Sequence, residues 1–515
     1  MRRALPTGQS AVRRPTLLDM VEDGRFVLRH GIHGLVGTGC IAIGALGVGW
    51  LPLQTELLDV PVVALLRGGL AGSLASRALV FLGLAILLQS WLVLGSELDR
   101  RTRHARDLWW IVAIWATPLL LAPPLFSRDA YSYYVQGRLM VNGFDPTTQG
   151  VSVIPGWFQD GADPMWAESP TPYGPLFLAI ERSVAGFAHP NAYLAGLLFR
   201  LVGLVGVALL AAFVPRLAAL HGVDPDRATW LAVLNPLILM HFILGAHNDA
   251  LMVGLVVAGL WFASTCRCTW GAVAVGLAIA VKPIAVLVLP FIGLAWAGTH
   301  STWGAKIRAW LLAAFVAGVT LISAFLVAGA GSGLVSAALG TPAGVLTWLS
   351  PTTAVGQLLG GATTLFGWTD SASWAVTVVR AIGSAAALVI IAWLILRPGD
   401  RSPTRGAALA LATAVVLGPV IQPWYLLWFL PLFAATGLTR RESQIAVLLT
   451  AAFTVHGMVE SSTTSDNFLD ITDGITFLVA VAVVALIMLA SPQERSLILG
   501  PRVAPERDVN GHLGS

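Results

Sequence analysis

Apolar runs of helical length recur from residue 33 to residue 490, separated by short polar turns and two long mixed stretches. The runs are continuous and rich in Leu, Ala, Val and Gly instead of alternating, so they predict membrane-spanning helices and not a β-barrel. Spans are expected near 33–53, 74–98, 107–126, 192–214, 229–243, 250–264, 269–281, 284–297, 308–328, 374–396, 407–420, 424–437, 445–457 and 472–490. The fold class is all-α and polytopic, with about 12–14 transmembrane helices. Residues 127–190 are polar, aromatic and proline-rich, and read as a large outer loop with short helices on the membrane surface. Residues 329–372, rich in Gly and Thr, read as a second outer loop of surface or re-entrant helices.

Composition supports the pattern. Of 515 residues, 56% are hydrophobic and 11% are charged, against about 25% charged in a soluble domain. Mean hydropathy is +0.77. Residues 1–30 carry Arg2, Arg3, Arg13, Arg14, Arg25 and Arg29, and are expected to form a cytoplasmic tail, too polar for a signal peptide. Residues 31–490 form one membrane domain and 491–515 a second cytoplasmic tail. Arg100, Arg101, Arg103 and Arg106 follow the second span, so the third span carries residue 129 to the outer side. The net charge of +4 reflects these basic segments and gives no reason to expect nucleic acid. Cys40, Cys266 and Cys268 lie in or beside spans without a second ligand pair, so neither a metal site nor a disulfide framework is expected.

With that orientation the unusual polar residues gather at the outer face. They are Arg128-Asp129, Asp145, Tyr173 within Pro172-Tyr173-Gly174-Pro175, His247-Asn248-Asp249, Lys282 (one of two lysines) and Trp424-Tyr425. Each has a structural reading. Arg128 and Asp129 can pair at a helix end, His247-Asn248-Asp249 can cap a helix, and Lys282 can snorkel. Trp424 and Tyr425 can anchor at the interface, and Tyr173-Gly174-Pro175 can simply turn. Their arrival on one face from separate segments favours chemistry. A carboxylate can take the proton of an acceptor hydroxyl, cations can stabilise a departing phosphate, and aromatic rings can stack on sugars. That set suits a lipid-linked sugar donor arriving through the bilayer.

The ordered series Ser127-Arg128-Asp129-Ala130-Tyr131-Ser132-Tyr133, Gly143-Phe144-Asp145-Pro146, Pro172-Tyr173-Gly174-Pro175, Gly245-Ala246-His247-Asn248-Asp249, Ala280-Val281-Lys282 and Pro423-Trp424-Tyr425 resembles the actinobacterial polyprenol-phosphomannose-dependent α-1,6-mannosyltransferases of lipomannan and lipoarabinomannan biosynthesis. The resemblance implies a GT-C bundle in the plasma membrane with its site on the extracytoplasmic side. It implies inverting transfer from polyprenyl-phosphate-mannose to a lipid-anchored mannan, with Asp129 as general base and no cofactor. Carried residue by residue, it makes Arg128, His247 and Lys282 candidates for the donor phosphate. Tyr131, Asp145, Tyr173, Asn248, Asp249, Trp424 and Tyr425 become candidates for substrate contacts. Another polyprenyl-phosphate sugar remains open, as does a lipid or sugar transporter, although transporters favour midplane sites between related halves.

Overall fold

The computed structural model describes residues 17–98, 105–329, 331, 333–345, 347, 349–365, 371–461 and 491; the expected span 472–490 and Arg100, Arg101 and Arg103 lie outside them. The described residues are mostly helical, with no strand among them. The first half comprises α1 (Leu17–Val48), α2 (Pro61–Arg67), α3 (Gly69–Leu98), α4 (Ala105–Ala116), α5 (Asp129–Val141), α6 (Pro175–Ala188), α7 (Ala192–Leu220), α8 (Pro225–Ala232) and, after a π-helical segment Ile238–Leu244, α9 (Asp249–Ser264). The second comprises α10 (Cys268–Val281), α11 (Leu289–Ala297), α12 (Trp303–Ala328), α13 (Leu334–Gly344), α14 (Pro351–Leu365), α15 (Ser371–Leu396), α16 (Pro403–Leu417), α17 (Leu426–Thr436) and α18 (Arg440–Ser461). The chain is an all-α polytopic membrane protein.

Among the described residues, five helices are individually long and apolar enough to cross a bilayer: Gly24–Val48, Gly69–Leu98, Ala192–Leu220, Trp303–Ala328 and Ser373–Leu396. A sixth span arises if Ile238–Leu244 and Asp249–Ser264, bent by 111° at their junction, count as one. On α12, Leu311, Phe315 and Leu326 are 66%, 70% and 78% exposed, which in a bilayer is a lipid-facing surface. Several of the other expected spans are short apolar helices such as α10, α16 and α17. The 14 residues of α10 rise about 21 Å, less than the roughly 30 Å of a hydrocarbon core. The end of α10 at Lys282, the end of α16 at Gly418 and the start of α17 at Tyr425 line one cavity.

The end of α10 has a local cause. The residue before a proline is driven out of the helical region, so α10 stops before Pro283 and Lys282 is extended, with φ −144 and ψ 116. The Gly174 N–H donates to the Val281 carbonyl at 2.9 Å, and a Cβ on Gly174 would stand 2.4 Å from the Ala280 oxygen. The turn at Tyr173 is thus locked onto the end of α10 by a contact that admits only glycine.

Within residues 127–190, expected to form an outer loop, the structure departs from expectation. Helix α5 is not a surface helix, because most of its residues are buried. Tyr133 packs edge-on against Tyr173, Phe177 and Phe199, with ring centroids 5.3, 4.8 and 5.5 Å away. Burial of such rings fixes α5 against α6 and α7, and so fixes the position of its first residue, Asp129.

Candidate active site

Asp129 opens α5, and its backbone N–H donates to Ser127 Oγ at 3.0 Å. Its Oδ2 accepts from Tyr133 Oη, one turn along the same helix, at 3.3 Å. Taking Nδ1 as the protonated nitrogen, His247 donates to the same oxygen at 3.0 Å. His247 is buried and lies flat on Trp424, with centroids 3.9 Å apart and planes at 23°. Burial pushes the Asp129 carboxyl upward, but the hydrogen bond and charge of His247, then Lys282 and Tyr133, outweigh it and hold Asp129 below its ordinary value. Two non-glycine residues with left-handed backbone stand just before these groups, Phe126 (φ 67) and Ala246 (φ 54). That conformation is costly for residues bearing a Cβ and persists where the surroundings impose it.

Lys282 forms the second centre. Its Nζ donates to Asp249 Oδ1 at 2.8 Å, and Trp428 Nε1 donates to the same oxygen at 2.6 Å. The ammonium lies 5.8, 5.4 and 5.2 Å from the ring centroids of Tyr173, Tyr425 and Trp428, within cation–π range. Asp249 is the first residue of α9, at the sharp break, and Asn248 before it makes no side-chain cap. The expected capping role of Asn248 is therefore not what the break uses.

Both centres open onto one cavity of about 410 Å³. Asp129, Tyr173, Lys282, Trp424, Tyr425 and Trp428 form its polar and aromatic wall, and Ile284, Val286, Val345, Val415 and Val420 lie among its apolar lining. At or behind the polar wall, His247 Nε2, Trp424 Nε1, Asp249 Oδ2 and the Asn248 amide are buried without partners among the described residues. Buried polar atoms are ordinarily hydrogen-bonded, so these are atoms for a polar ligand or water to satisfy. Among the described residues no three His, Cys, Asp or Glu side chains form a group able to hold a metal ion.

The expected site residues divide. Asp129, Tyr173, Lys282, Trp424 and Tyr425 line the cavity, and His247 and Asp249 stand directly behind it on hydrogen bonds to Asp129 and Lys282. Asn248 donates its backbone N–H to Tyr133 Oη at 3.5 Å. Three others are not in the lining. Tyr131 is fully buried and donates to the Trp50 carbonyl at 3.1 Å. Asp145 Oδ1 accepts from the Thr147 N–H and hydroxyl at 2.9 and 2.7 Å, which makes it a turn cap. Arg128 neither pairs with Asp129 nor faces the cavity; its guanidinium lies 3.7 Å from the Trp50 ring centroid. Sequence reasoning missed Tyr133 and Trp428 as functional partners. Their signal was helical spacing, Tyr133 four residues after Asp129 and Trp428 four after Trp424.

A multi-pass helical membrane protein with a buried carboxylate, a caged lysine and an aromatic wall beside an apolar cavity has the parts of a membrane transferase. The chain belongs to the α-(1→6)-mannopyranosyltransferase family. The family profile "Alpha-(1->6)-mannopyranosyltransferase, N-terminal domain" matches residues 31–298, and "MptB C-terminal domain" matches residues 352–491. A probable α-(1→6)-mannopyranosyltransferase of Mycolicibacterium smegmatis is 34% identical, over 82% of this chain and 81% of that one. An α-(1→6)-mannopyranosyltransferase of Mycobacterium tuberculosis is 33% identical over 85% and 83%. Alpha-(1→6)-mannopyranosyltransferase A of Corynebacterium glutamicum is 29% identical over 75% and 84%. No solved structure matches. The chain is an α-1,6-mannosyltransferase, a class of enzyme that uses a sugar donor and an acceptor.

Proposed function

We propose that the enzyme transfers mannose from polyprenyl-phosphate-mannose to a growing, lipid-anchored α-1,6-mannan of the lipomannan and lipoarabinomannan type. The reading places the cavity on the extracytoplasmic side of the plasma membrane and both termini in the cytoplasm. Asp129 takes the proton of the acceptor 6-hydroxyl as that oxygen bonds to the anomeric carbon. The bond from that carbon to the phosphate oxygen breaks on the opposite face, so a β-linked mannosyl phosphate gives an α-linkage. The electron pair leaves with the polyprenyl phosphate, and Lys282 offsets the charge that develops there. His247 and Tyr133 hold Asp129 in its acceptor geometry. Because the lipid phosphate is itself the leaving group and Lys282 supplies the countercharge, we propose no cofactor.

The observation that carries this reading is the joining of Asp129 and Lys282 across one cavity whose remaining wall is largely apolar. A lipid-borne phosphosugar needs that combination, whereas a nucleotide sugar does not. The test uses membranes bearing the wild type or Asp129→Asn, labelled polyprenyl-phosphate-mannose, and a short α-1,6-mannoside, with and without EDTA. Wild-type extension in both buffers, with transfer by the variant down at least about 10²-fold, is expected. Near-normal extension by Asp129→Asn would remove the base assignment, and extension from a nucleotide sugar alone would remove the donor.

A further inference from the structure

Two substrates must meet at Asp129, and the cavity suits one of them. A polyprenyl chain can lie along Val286, Val345, Val415 and Val420, but a polyhydroxylated glycan gains nothing from such a wall. Beside Asp129 but outside that lining, the surface has another character. Arg128 begins about 3.8 Å away along the backbone, and its guanidinium carbon lies 3.7 Å from the Trp50 ring centroid and 5.9 Å from that of Phe158. The Arg128 side chain makes no hydrogen bond among the described residues. Phe158 is 42% exposed, and Trp50 and Arg128 are partly exposed.

The backbone under these rings is tied down. The Trp50 N–H donates to the Pro124 carbonyl at 2.8 Å, and the Trp50 carbonyl accepts from Tyr131 Oη at 3.1 Å. The Leu53 N–H donates to the Gln159 carbonyl at 2.8 Å, which joins the Trp50 turn to the Phe158 loop. The Arg67 guanidinium holds the Leu46 and Gly49 carbonyls from below. A hexose has an apolar C–H face that stacks on aromatic rings and an edge of hydroxyls that accept hydrogen bonds. A pre-ordered surface with two partly exposed rings and a guanidinium rich in free donors matches both.

We infer that Trp50, Arg128 and Phe158 form a subsite for the acceptor glycan, holding a mannose unit at least two units upstream of the one whose hydroxyl meets Asp129, beyond the reach of a dimannoside. This rests on the transfer reading above, since it needs Asp129 at the acceptor end. It moves Arg128 from the donor phosphate to the acceptor. The competing role is interfacial anchoring, because Trp50 follows a span, and anchoring has no dependence on acceptor length.

The experiment uses the full-length enzyme in liposomes with polyprenyl-phosphate-mannose and either a dimannoside or a hexamannoside. Phe158→Ala, at an exposed position, and Arg128→Gln are compared with wild type. The acceptor KM should rise about tenfold for the hexamannoside, the equivalent of one lost contact, with little change for the dimannoside and none in the donor KM. Unchanged KM at both lengths, or a parallel rise for both acceptors and the donor, would overturn the subsite. Equilibrium binding of the hexamannoside to Asp129→Asn enzyme, with and without Phe158→Ala, reads the subsite without turnover. A loss of binding there supports it even if Asp129 proves not to be the base, and undiminished binding refutes it.

Discussion

Lys282 and Asp249 allow phosphate recognition to be separated from mere structural support. The pair is 2.8 Å apart, with side chains 15% and 1% exposed. At an effective dielectric constant of about 20, unit charges at that separation attract by about 6 kcal/mol, most of which offsets the cost of burying them. Lys282→Gln leaves the Asp249 carboxylate buried with Trp428 as its remaining donor, and breaking a buried pair in this way costs about 3–5 kcal/mol. Adding Asp249→Asn removes the orphaned charge while keeping an oxygen for Trp428 and for the Gln amide, so the double variant should regain most of that stability. On the role proposed for Lys282 it should not regain transfer, because the charge assigned to the donor phosphate is gone, and loss of one such group costs about 10²–10³-fold. The assays are thermal unfolding of the detergent-solubilised protein and transfer from labelled donor. A double variant that transfers at near the wild-type rate would show that Lys282 supports the wall without acting on the donor. A Lys282→Gln enzyme as stable as wild type would refute the energetics.

Two further outcomes follow from the surroundings of buried carboxyl groups. Since Asp129 is held below its ordinary value, its ionised form persists, and its contribution to stability is lost only as pH falls through that lowered value. The acceptor kcat/KM should therefore show no Asp129 limb between about pH 8 and pH 5, above the ordinary range of an aspartate; a limb near pH 6 would assign the proton acceptor to another group. Glu181 on α6 is fully buried, both its carboxylate oxygens lack partners among the described residues, and burial, with the Asp129 charge adding, raises it well above the ordinary range. Burial therefore favours its neutral form, and the neutral isostere in Glu181→Gln should retain both thermal midpoint and transfer; a large loss of either would show that the proton, or its removal, matters.

Much of this molecule was legible in the chain, for definable reasons. A run of apolar residues reports burial in lipid directly, so the helical membrane class followed from hydropathy. Lys282-Pro283 marked a helix end because a proline constrains its predecessor by local sterics alone. Helix α5 was misread as a surface helix because Tyr131, Tyr133 and Gln136 are polar enough to suggest water, yet they are buried within the protein. Neighbours in sequence also misled. Arg128 is the last residue before α5 and Asp129 the first within it, and successive helical positions diverge by about 100°, so the two face different surroundings instead of pairing. Asp145 sits in a turn motif that resembles a ligand loop, but its acceptor capacity is taken up locally by Thr147.

The stack of His247 on Trp424 joins segments 177 residues apart, the first within the N-terminal family region and the second within the C-terminal one. Asp129, His247, Asp249 and Lys282 come from the first region, and Trp424, Tyr425 and Trp428 from the second. The carboxylates, the imidazole and the lysine are thus carried on one length of the gene, and three of the cavity's aromatic residues on another. On the transfer reading proposed above, changes confined to the later segment can reshape which donor is accepted while leaving Asp129 and Lys282 themselves in place, so that substrate range can drift without the reaction being reinvented.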